Sequence, residues 1–113
     1  NYPDYFLNPQ ETFGCNTAWL AFPILIKDSA PFTRKEFQIF LENRNIQTRV
    51  VFTGNILRQP MCQNISKRVL EEGYPNADRV MARGVLLPLH HGMTESMFSR
   101  FHATVHEFIE QYD

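Results

Sequence analysis

Three apolar stretches along the chain predict strands. Residues 18–27 are almost entirely apolar, which is typical of a strand buried on both faces. Pro23 interrupts that run, and because proline has no N–H to donate, we expect it at a sheet edge or a bulge. The β-branched residues of 46–52 predict a second strand, and residues 85–89 predict a third.

Helical periodicity and capping signals separate these strands. Thr33 followed by Glu36 matches a capping box, so we expect a helix over residues 34–44 closed by Asn45 in a left-handed conformation. Thr94 is predicted to cap a long final helix. The apolar stripes of the two helices consist of Phe37, Phe40 and Leu41, and of Met97, Phe98, Phe101, Val105, Phe108 and Ile109.

Weaker signals lie between the second and third strands. Residues 66–72 predict a short helix closed by Gly73. Residues 77–83 predict another, capped by Asn76 and closed by Gly84. The element order predicts an α+β fold, with a small sheet of three or slightly more strands and helices packed on one face. We expect residues 1–16 to form an irregular N-terminal segment and residues 17–113 a single α+β domain.

Composition and charge narrow the function classes. The chain has 113 residues and a formal net charge of −1, so it lacks the basic field that attracts nucleic acid or anionic membrane. An RNA-binding fold would also need aromatic and basic residues on adjacent strands, which the predicted strands lack. No apolar run has transmembrane length and no signal-peptide pattern is seen, which favours a cytoplasmic protein. The spacing of Cys15 and Cys62 opposes a disulfide framework or a zinc site.

Polar side chains crowd the end of the second predicted strand. Gly54 and Asn55 tolerate left-handed backbone angles, so we expect a sharp turn there. Arg49, Asn55, Arg58 and Gln59 surround that turn with hydrogen-bond donors. One interpretation is a site that presents a planar cation to an anionic, hydroxyl-rich ligand. The other is a strand, a tight turn and solvated charges, and the local chemistry leaves both open.

Other candidate groups carry weaker signals. His102 and His106 share a helix face at metal-ligand spacing but lack the glutamate of a His-Glu-x-x-His motif, so we expect a solvated face and no metal. Asp78 and Arg79 are expected to be ordinary helix-surface charges. No nucleophile elbow, P-loop or dinucleotide fingerprint is present.

A series of short motifs in order resembles a known family. They are Trp19-Leu20-Ala21-Phe22-Pro23-Ile24, Phe32-Thr33-Arg34, Phe52-Thr53-Gly54-Asn55, Arg58-Gln59-Pro60, Pro75-Asn76-Ala77-Asp78-Arg79 and Leu87-Pro88-Leu89-His90-His91-Gly92. The series resembles the C-terminal small domain of the DegT/StrS-type sugar aminotransferases, which are pyridoxal-phosphate (PLP) enzymes of fold type I. The Gly-Asn-x-x-Arg-Gln-Pro form is most similar to the branch of nucleotide-linked hexulose 3-dehydrases of lipopolysaccharide O-antigen synthesis.

The resemblance implies a larger parent enzyme. The family's N-terminal domain holds PLP or its amine form and the catalytic lysine or histidine, so we expect the isolated chain to be inactive and to bind no cofactor. The parent is expected to be a homodimer that removes a ring hydroxyl from a nucleotide-linked keto-sugar or transfers an amino group. By resemblance the substrate-pocket candidates are Arg49, Phe52, Gly54, Asn55, Arg58 and Gln59. One arginine would pair with a substrate phosphate and one amide with sugar hydroxyls.

A hypothesis from another class is a stand-alone binding module. An α+β domain of this size can act as a small-molecule regulatory module without catalysis. Such a module would carry a self-contained pocket. An exposed apolar surface would instead indicate the docking of a further domain.

Overall fold

The computed structural model describes residues 2–112 as an antiparallel sheet with three α-helices. The strands are β1 (Phe6–Leu7), β2 (Phe22–Ile26), β3 (Arg49–Val50) and β4 (Gly84–Leu87). The helices are α1 (Arg34–Glu42), α2 (Pro75–Arg83) and α3 (Glu95–Ile109). The four strands lie in the order β1-β2-β4-β3. The predicted α+β class is confirmed, with a sheet one strand larger than three.

β2 and β4 form the centre of the sheet. The pairing of β2 explains why this strand can contain Pro23. Pro23 lies opposite Leu86 of β4, whereas β1 pairs only with Leu25 and Ile26. Pro23 therefore stands where β2 has a neighbour strand on one side only. This is the edge-like position that a residue without an N–H requires.

The core lies between one face of the sheet and helices α1 and α3. Alternate residues of β2 and β4 are buried against apolar side chains of both helices, as the period of two predicts. The ring of Phe108 is 4.8 Å from that of Phe32, 5.0 Å from that of Phe40 and 5.2 Å from that of Phe37 (centroid distances). The buried core consists of Phe6, Ile24, Ile26, Phe32, Phe37, Leu41, Ile46, Val85, Leu87, Val105, Phe108 and Ile109.

The helix caps follow the sequence signals. The backbone N–H of Thr33 donates to Glu36 Oε2 at 2.7 Å, and that of Glu36 donates to Thr33 Oγ1 at 3.3 Å, which confirms the capping box. Asn45 follows α1 with a left-handed φ of 57°. The Thr94 hydroxyl accepts from the N–H of Met97 at 3.4 Å, which confirms the cap of α3. No helix within residues 2–112 is long and apolar enough to cross a membrane.

The structure departs from the predicted elements in two strand regions. Phe6 and Leu7 pair with β2 inside a segment predicted to be irregular. Two residues without alternation carry no strand signal, and the pairing comes from the neighbouring strand. β3 spans only Arg49–Val50 instead of 46–52. The left-handed φ of 47° at Phe52 ends the extended backbone early.

The helices predicted between the second and third strands also need correction. Residues 66–72 form no helix, because Val69 and Leu70 remain exposed and a short helix without a buried face is marginal. α2 begins at Pro75, which suits the first helical position, so Asn76 is not its N-cap. Gly84 does close α2 as predicted, since its N–H donates to the carbonyl of Val80, and its extended backbone also starts β4.

Candidate functional site

The chain leaves β3 through a tight turn that presents Phe52. The N–H of Phe52 donates to the carbonyl of Val50 at 2.9 Å, and that of Gly54 donates to Val51 at 3.0 Å. Gly54 has a φ of 61°, as predicted, but Phe52 takes the second left-handed position and Asn55 is extended. A left-handed conformation costs a non-glycine residue about 1–2 kcal/mol. The turn holds the Phe52 ring 77% exposed.

Asn55 is buried and ties the turn to α2. Its Oδ1 accepts from the N–H of Leu57 at 3.0 Å, which caps a short 3-10 turn. Its Nδ2 donates to Asp78 Oδ1 at 2.8 Å. Only 4% of Asn55 is exposed. The oxygen and the nitrogen of the Asn55 amide are therefore both used to hold the loop in shape.

Arg58 forms a two-point ion pair with Asp78. Arg58 Nε donates to Asp78 Oδ1 at 2.9 Å and Nη2 donates to Oδ2 at 2.8 Å. The pKa of Asp78 is lowered from its ordinary 3.8 to about 2. The hydrogen bonds from Arg58 are the largest cause, and the bond from Asn55 is the second. The expectation that Asp78 is an ordinary surface charge is wrong, because α2 directs it toward the candidate loop. Asp78 lies 20 positions after Arg58, a spacing that carries no local signal.

Arg49 and Gln59 complete the predicted set. The backbone of Arg49 pairs with Leu86 of β4, and its side chain is exposed. Within residues 2–112 the Arg49 guanidinium makes no side-chain hydrogen bond or ion pair. Gln59 Nε2 donates to the carbonyl of Thr53 at 2.9 Å, which closes the loop. Of the two arginines, Arg49 is thus the one whose charge has no partner in the described chain.

A cavity of about 280 Å³ opens beside the ion pair. Its lining includes Asn55, Arg58, Asp78, Val69, Glu72 and Tyr74. This volume is close to the lower limit of about 300 Å³ typical of small-molecule sites. The structure therefore brings Asn55 and Arg58 to one cavity, whose lining does not include Arg49 and Phe52.

A larger cavity of about 610 Å³ lies between α3, the sheet and the N-terminal segment. Its lining is mainly apolar, with a hydrogen bond of 2.7 Å between Tyr2 Oη and His106 Nδ1 at its rim. The polar groups of the candidate loop are absent from it. We therefore place the candidate site at the smaller cavity, where the oriented charges are.

Two further arginines and one histidine of the described residues lie close to carboxylates. Arg79 and Arg83 of α2 both contact the Asp28 carboxylate, at 3.0 Å and 2.7 Å. Arg79, which was predicted to be an ordinary helix-surface charge, has a partly exposed side chain in this ion pair. His106 lies 3.4 Å from Glu110. In the described part of the chain no three histidine, cysteine or acidic residues are grouped as a metal site would need.

Comparison with known proteins identifies the family. The sequence profile of the DegT/DnrJ/EryC1/StrS aminotransferase family matches residues 5–106. The chain belongs to this family. It is 35% identical over 86 residues to the lipopolysaccharide biosynthesis protein RfbH of Salmonella typhimurium, covering 76% of this chain and 20% of RfbH. It is 34% identical over 103 residues to a dTDP-4-dehydro-2,6-dideoxy-D-glucose 3-dehydratase of Saccharopolyspora spinosa, covering 91% and 22%.

Solved structures share the fold. The chain superimposes on an E. coli GDP-4-keto-6-deoxy-D-mannose 3-dehydratase with bound hydrated PLP (TM-score 0.74, 21% identity, 91% of this chain and 25% of that one). A DegT-family aminotransferase from Brucella abortus gives a TM-score of 0.76 at 19% identity, over 93% of this chain and 26% of that one. The predicted family is confirmed. The chain spans only about a fifth of the curated relatives.

The described residues do not fit a PLP site. Lys27, Lys35 and Lys67 are the lysines of the chain. None of them lines either cavity, and the amine of Lys67 donates to the backbone carbonyls of Cys62 and Gln63. A covalently held aldehyde cofactor needs an accessible amine beside a phosphate cradle, and residues 2–112 do not bring the two together.

Proposed function

We propose that this chain is the substrate-side domain of a larger PLP-dependent enzyme that acts on a nucleotide-linked keto-sugar. Its reaction is 3-dehydration or amino transfer in the biosynthesis of lipopolysaccharide-type sugars. The observation that carries the proposal is the family match over residues 5–106, combined with two relatives of which the matched part is only about a fifth. One of the two is named for lipopolysaccharide biosynthesis and the other for sugar 3-dehydration.

Exposed apolar side chains support the proposal that another domain or subunit contacts this chain. Phe13, Leu20 and Met61 are each at least 80% exposed. Further exposed apolar residues lie between positions 56 and 70, and they are Ile56, Ile65, Val69 and Leu70. Apolar exposure of this extent is typical of a surface that contacts another domain or subunit. We assign it to the N-terminal PLP domain and the second subunit of a cytoplasmic homodimer.

Strand β3 and the loop after it supply the substrate contacts in this proposal. Arg49, whose charge is unpaired in the described chain, pairs with the phosphate groups of the nucleotide. The exposed ring of Phe52 contacts the ligand beside it. Gly54 allows the turn, and Asn55 and Gln59 hold the loop in shape through bonds to Asp78 and Thr53. Arg58 reaches the cavity from the same loop.

The test is turnover by the full-length protein that contains this chain. The purified protein, loaded with PLP, is incubated with GDP- and dTDP-linked 4-keto-6-deoxyhexoses, with and without an amino donor. Mass spectrometry of the nucleotide sugar distinguishes the reactions. Dehydration removes one ring hydroxyl as water, whereas amino transfer replaces the keto oxygen with an amino group taken from the donor. An unchanged nucleotide sugar under every condition would contradict the proposal.

The cavity of about 610 Å³ favours a second candidate function, a stand-alone small-molecule binding module. It is lined mainly by apolar side chains and carries a polar pair, Tyr2 and His106, at its rim. This candidate predicts that the chain by itself binds an apolar fluorescent probe, and that His106→Ala changes the affinity. It also predicts that the protein has no activity on nucleotide sugars.

A further inference from the structure

The guanidinium of Arg58 offers two hydrogen-bonding edges, and Asp78 occupies one of them. The Nε and Nη2 atoms face the carboxylate at 2.9 Å and 2.8 Å. The other edge, formed by Nη1 and the second hydrogen of Nη2, has no partner within residues 2–112. The Arg58 side chain is 64% exposed, so this free edge is accessible to a ligand. A guanidinium held in this way presents a fixed donor fork.

The local charge at Arg58 differs from that at Arg49. The lining of the cavity at Arg58 carries one positive and two negative formal charges, from Arg58, Asp78 and Glu72. A phosphate approaching this cavity meets carboxylates as well as the guanidinium, and like charges repel. Arg49 carries a charge that no side chain of residues 2–112 compensates. The anionic part of a ligand is therefore favoured at Arg49, and neutral oxygen atoms are favoured at Arg58.

We propose that Asp78 is a positioning residue that orients Arg58 to donate to neutral sugar oxygens, while Arg49 binds the diphosphate. The acceptors at Arg58 are a ring hydroxyl or the keto oxygen of the sugar, both of which lack formal charge. The division of roles rests on the proposed function, since it assigns two parts of the same nucleotide-linked ligand to two arginines.

The carboxylate is itself held in place before any ligand arrives. The buried Asn55 amide donates to the same Oδ1 atom that accepts from Arg58 Nε. Met81, three residues further along α2, packs against Gly54 at the start of the loop. Asp78 is thus fixed from both the loop and the helix. Groups held in this way lose little freedom on binding, which favours selective contacts.

The experiment compares two ligands in the PLP-loaded full-length enzyme. Steady-state kinetics give KM and kcat for the nucleotide-linked 4-keto-6-deoxyhexose, and inhibition by the free nucleoside diphosphate gives Ki. Asp78→Asn keeps the size of the side chain and removes its charge. We expect kcat/KM to fall about tenfold or more, the size of a lost oriented charged hydrogen bond, while Ki stays within about twofold or decreases. Arg49→Ala is expected to raise KM and Ki together.

A second variant and a control distinguish a specific effect on the sugar from a folding defect. Arg58→Lys keeps a cation beside Asp78 but lacks the planar fork, so it should also lower kcat/KM without raising Ki. Lys35→Ala, which removes an exposed charge in the first turn of α1, should change neither quantity. Equal weakening of both ligands in Asp78→Asn, or no effect on either, would overturn the assignment. If the wild-type enzyme neither binds nor converts nucleotide sugars, the proposed function is wrong, and the assignment of the two arginines is overturned with it.

Discussion

Met81 occupies the space in which a side chain at Gly54 would stand. An ideal Cβ on Gly54 would lie 2.6 Å from Cγ and 2.7 Å from Cα of Met81, far inside van der Waals contact. This contact holds α2 against the turn that leaves β3. The same helix carries Asp78, so one packing contact and one ion pair fix the position of the candidate loop.

Gly54→Ala should therefore destabilise the protein more than a matched glycine substitution. Gly54 and Gly73 both have a left-handed φ, of 61° and 71°, but an added Cβ at Gly73 would meet open space. Gly73→Ala should cost about 1–2 kcal/mol of unfolding free energy from backbone strain. Gly54→Ala should cost a further 1–3 kcal/mol, roughly, from overpacking against Met81. Urea denaturation of both variants measures the difference, and equal costs would contradict the contact.

The Arg58–Asp78 pair should make stability depend on acid pH. The pKa of Asp78 is lowered from 3.8 to about 2, so its contribution is complete above about pH 4 and is lost as pH falls toward 2. Wild-type protein should therefore lose more stability between pH 5 and 2.5 than Asp78→Asn does. The urea midpoints at the two pH values give this comparison. Glu36 and Glu107 also have lowered pKa values and remain in both proteins, so they cancel in the difference. Identical losses in the two proteins would contradict the ion pair.

The capping box of α1 should contribute measurably to stability. Thr33→Ala removes the side-chain oxygen that accepts from the N–H of Glu36 and is expected to cost about 1 kcal/mol. Thr33→Ser keeps that acceptor and should cost only a small part of this. Chemical denaturation of the two variants separates the cap from the loss of the methyl group. A similar cost for both would indicate that the cap is unimportant.

Phe108 should be among the most sensitive core positions. Its ring is 2% exposed and lies beside the rings of Phe32, Phe37 and Phe40. Phe108→Ala is expected to cost about 3–5 kcal/mol through the cavity that it leaves. Phe13→Ala removes the same side chain from a fully exposed position and should be nearly neutral in the isolated chain. Thermal denaturation gives both values, and a cost below about 1 kcal/mol for Phe108→Ala would contradict the packing described.

Local signals predicted the elements that depend on neighbouring residues. Thr33 with Glu36 and Thr94 with Met97 are contacts across three positions, and both helix starts follow from them. The strand at Phe6 depends on β2, about 20 residues away, and the absence of a helix over 66–72 depends on the lack of a packing surface. Neither the partner strand nor the lack of a packing surface can be inferred from the local sequence pattern.

The sequence predicted only the part of the candidate site that neighbouring residues form. The turn at Gly54 and its donors are adjacent in sequence, so the pattern indicated them. Asp78 was missed because an acidic residue in a first helical turn is common and already has an explanation in the helix dipole. Only the fold brings it to Arg58, and that contact distinguishes the two arginines that sequence reasoning left equivalent.

The most direct test of the account is the effect of Arg49→Ala on substrate binding by the PLP-loaded full-length enzyme. We expect KM for the nucleotide-linked keto-sugar to rise about tenfold or more, since a charged contact to phosphate is lost, while kcat changes little. Lys35→Ala, which removes a charge elsewhere on the same domain, should leave KM unchanged. An unchanged KM in Arg49→Ala would contradict the claim that this domain forms the nucleotide side of the site.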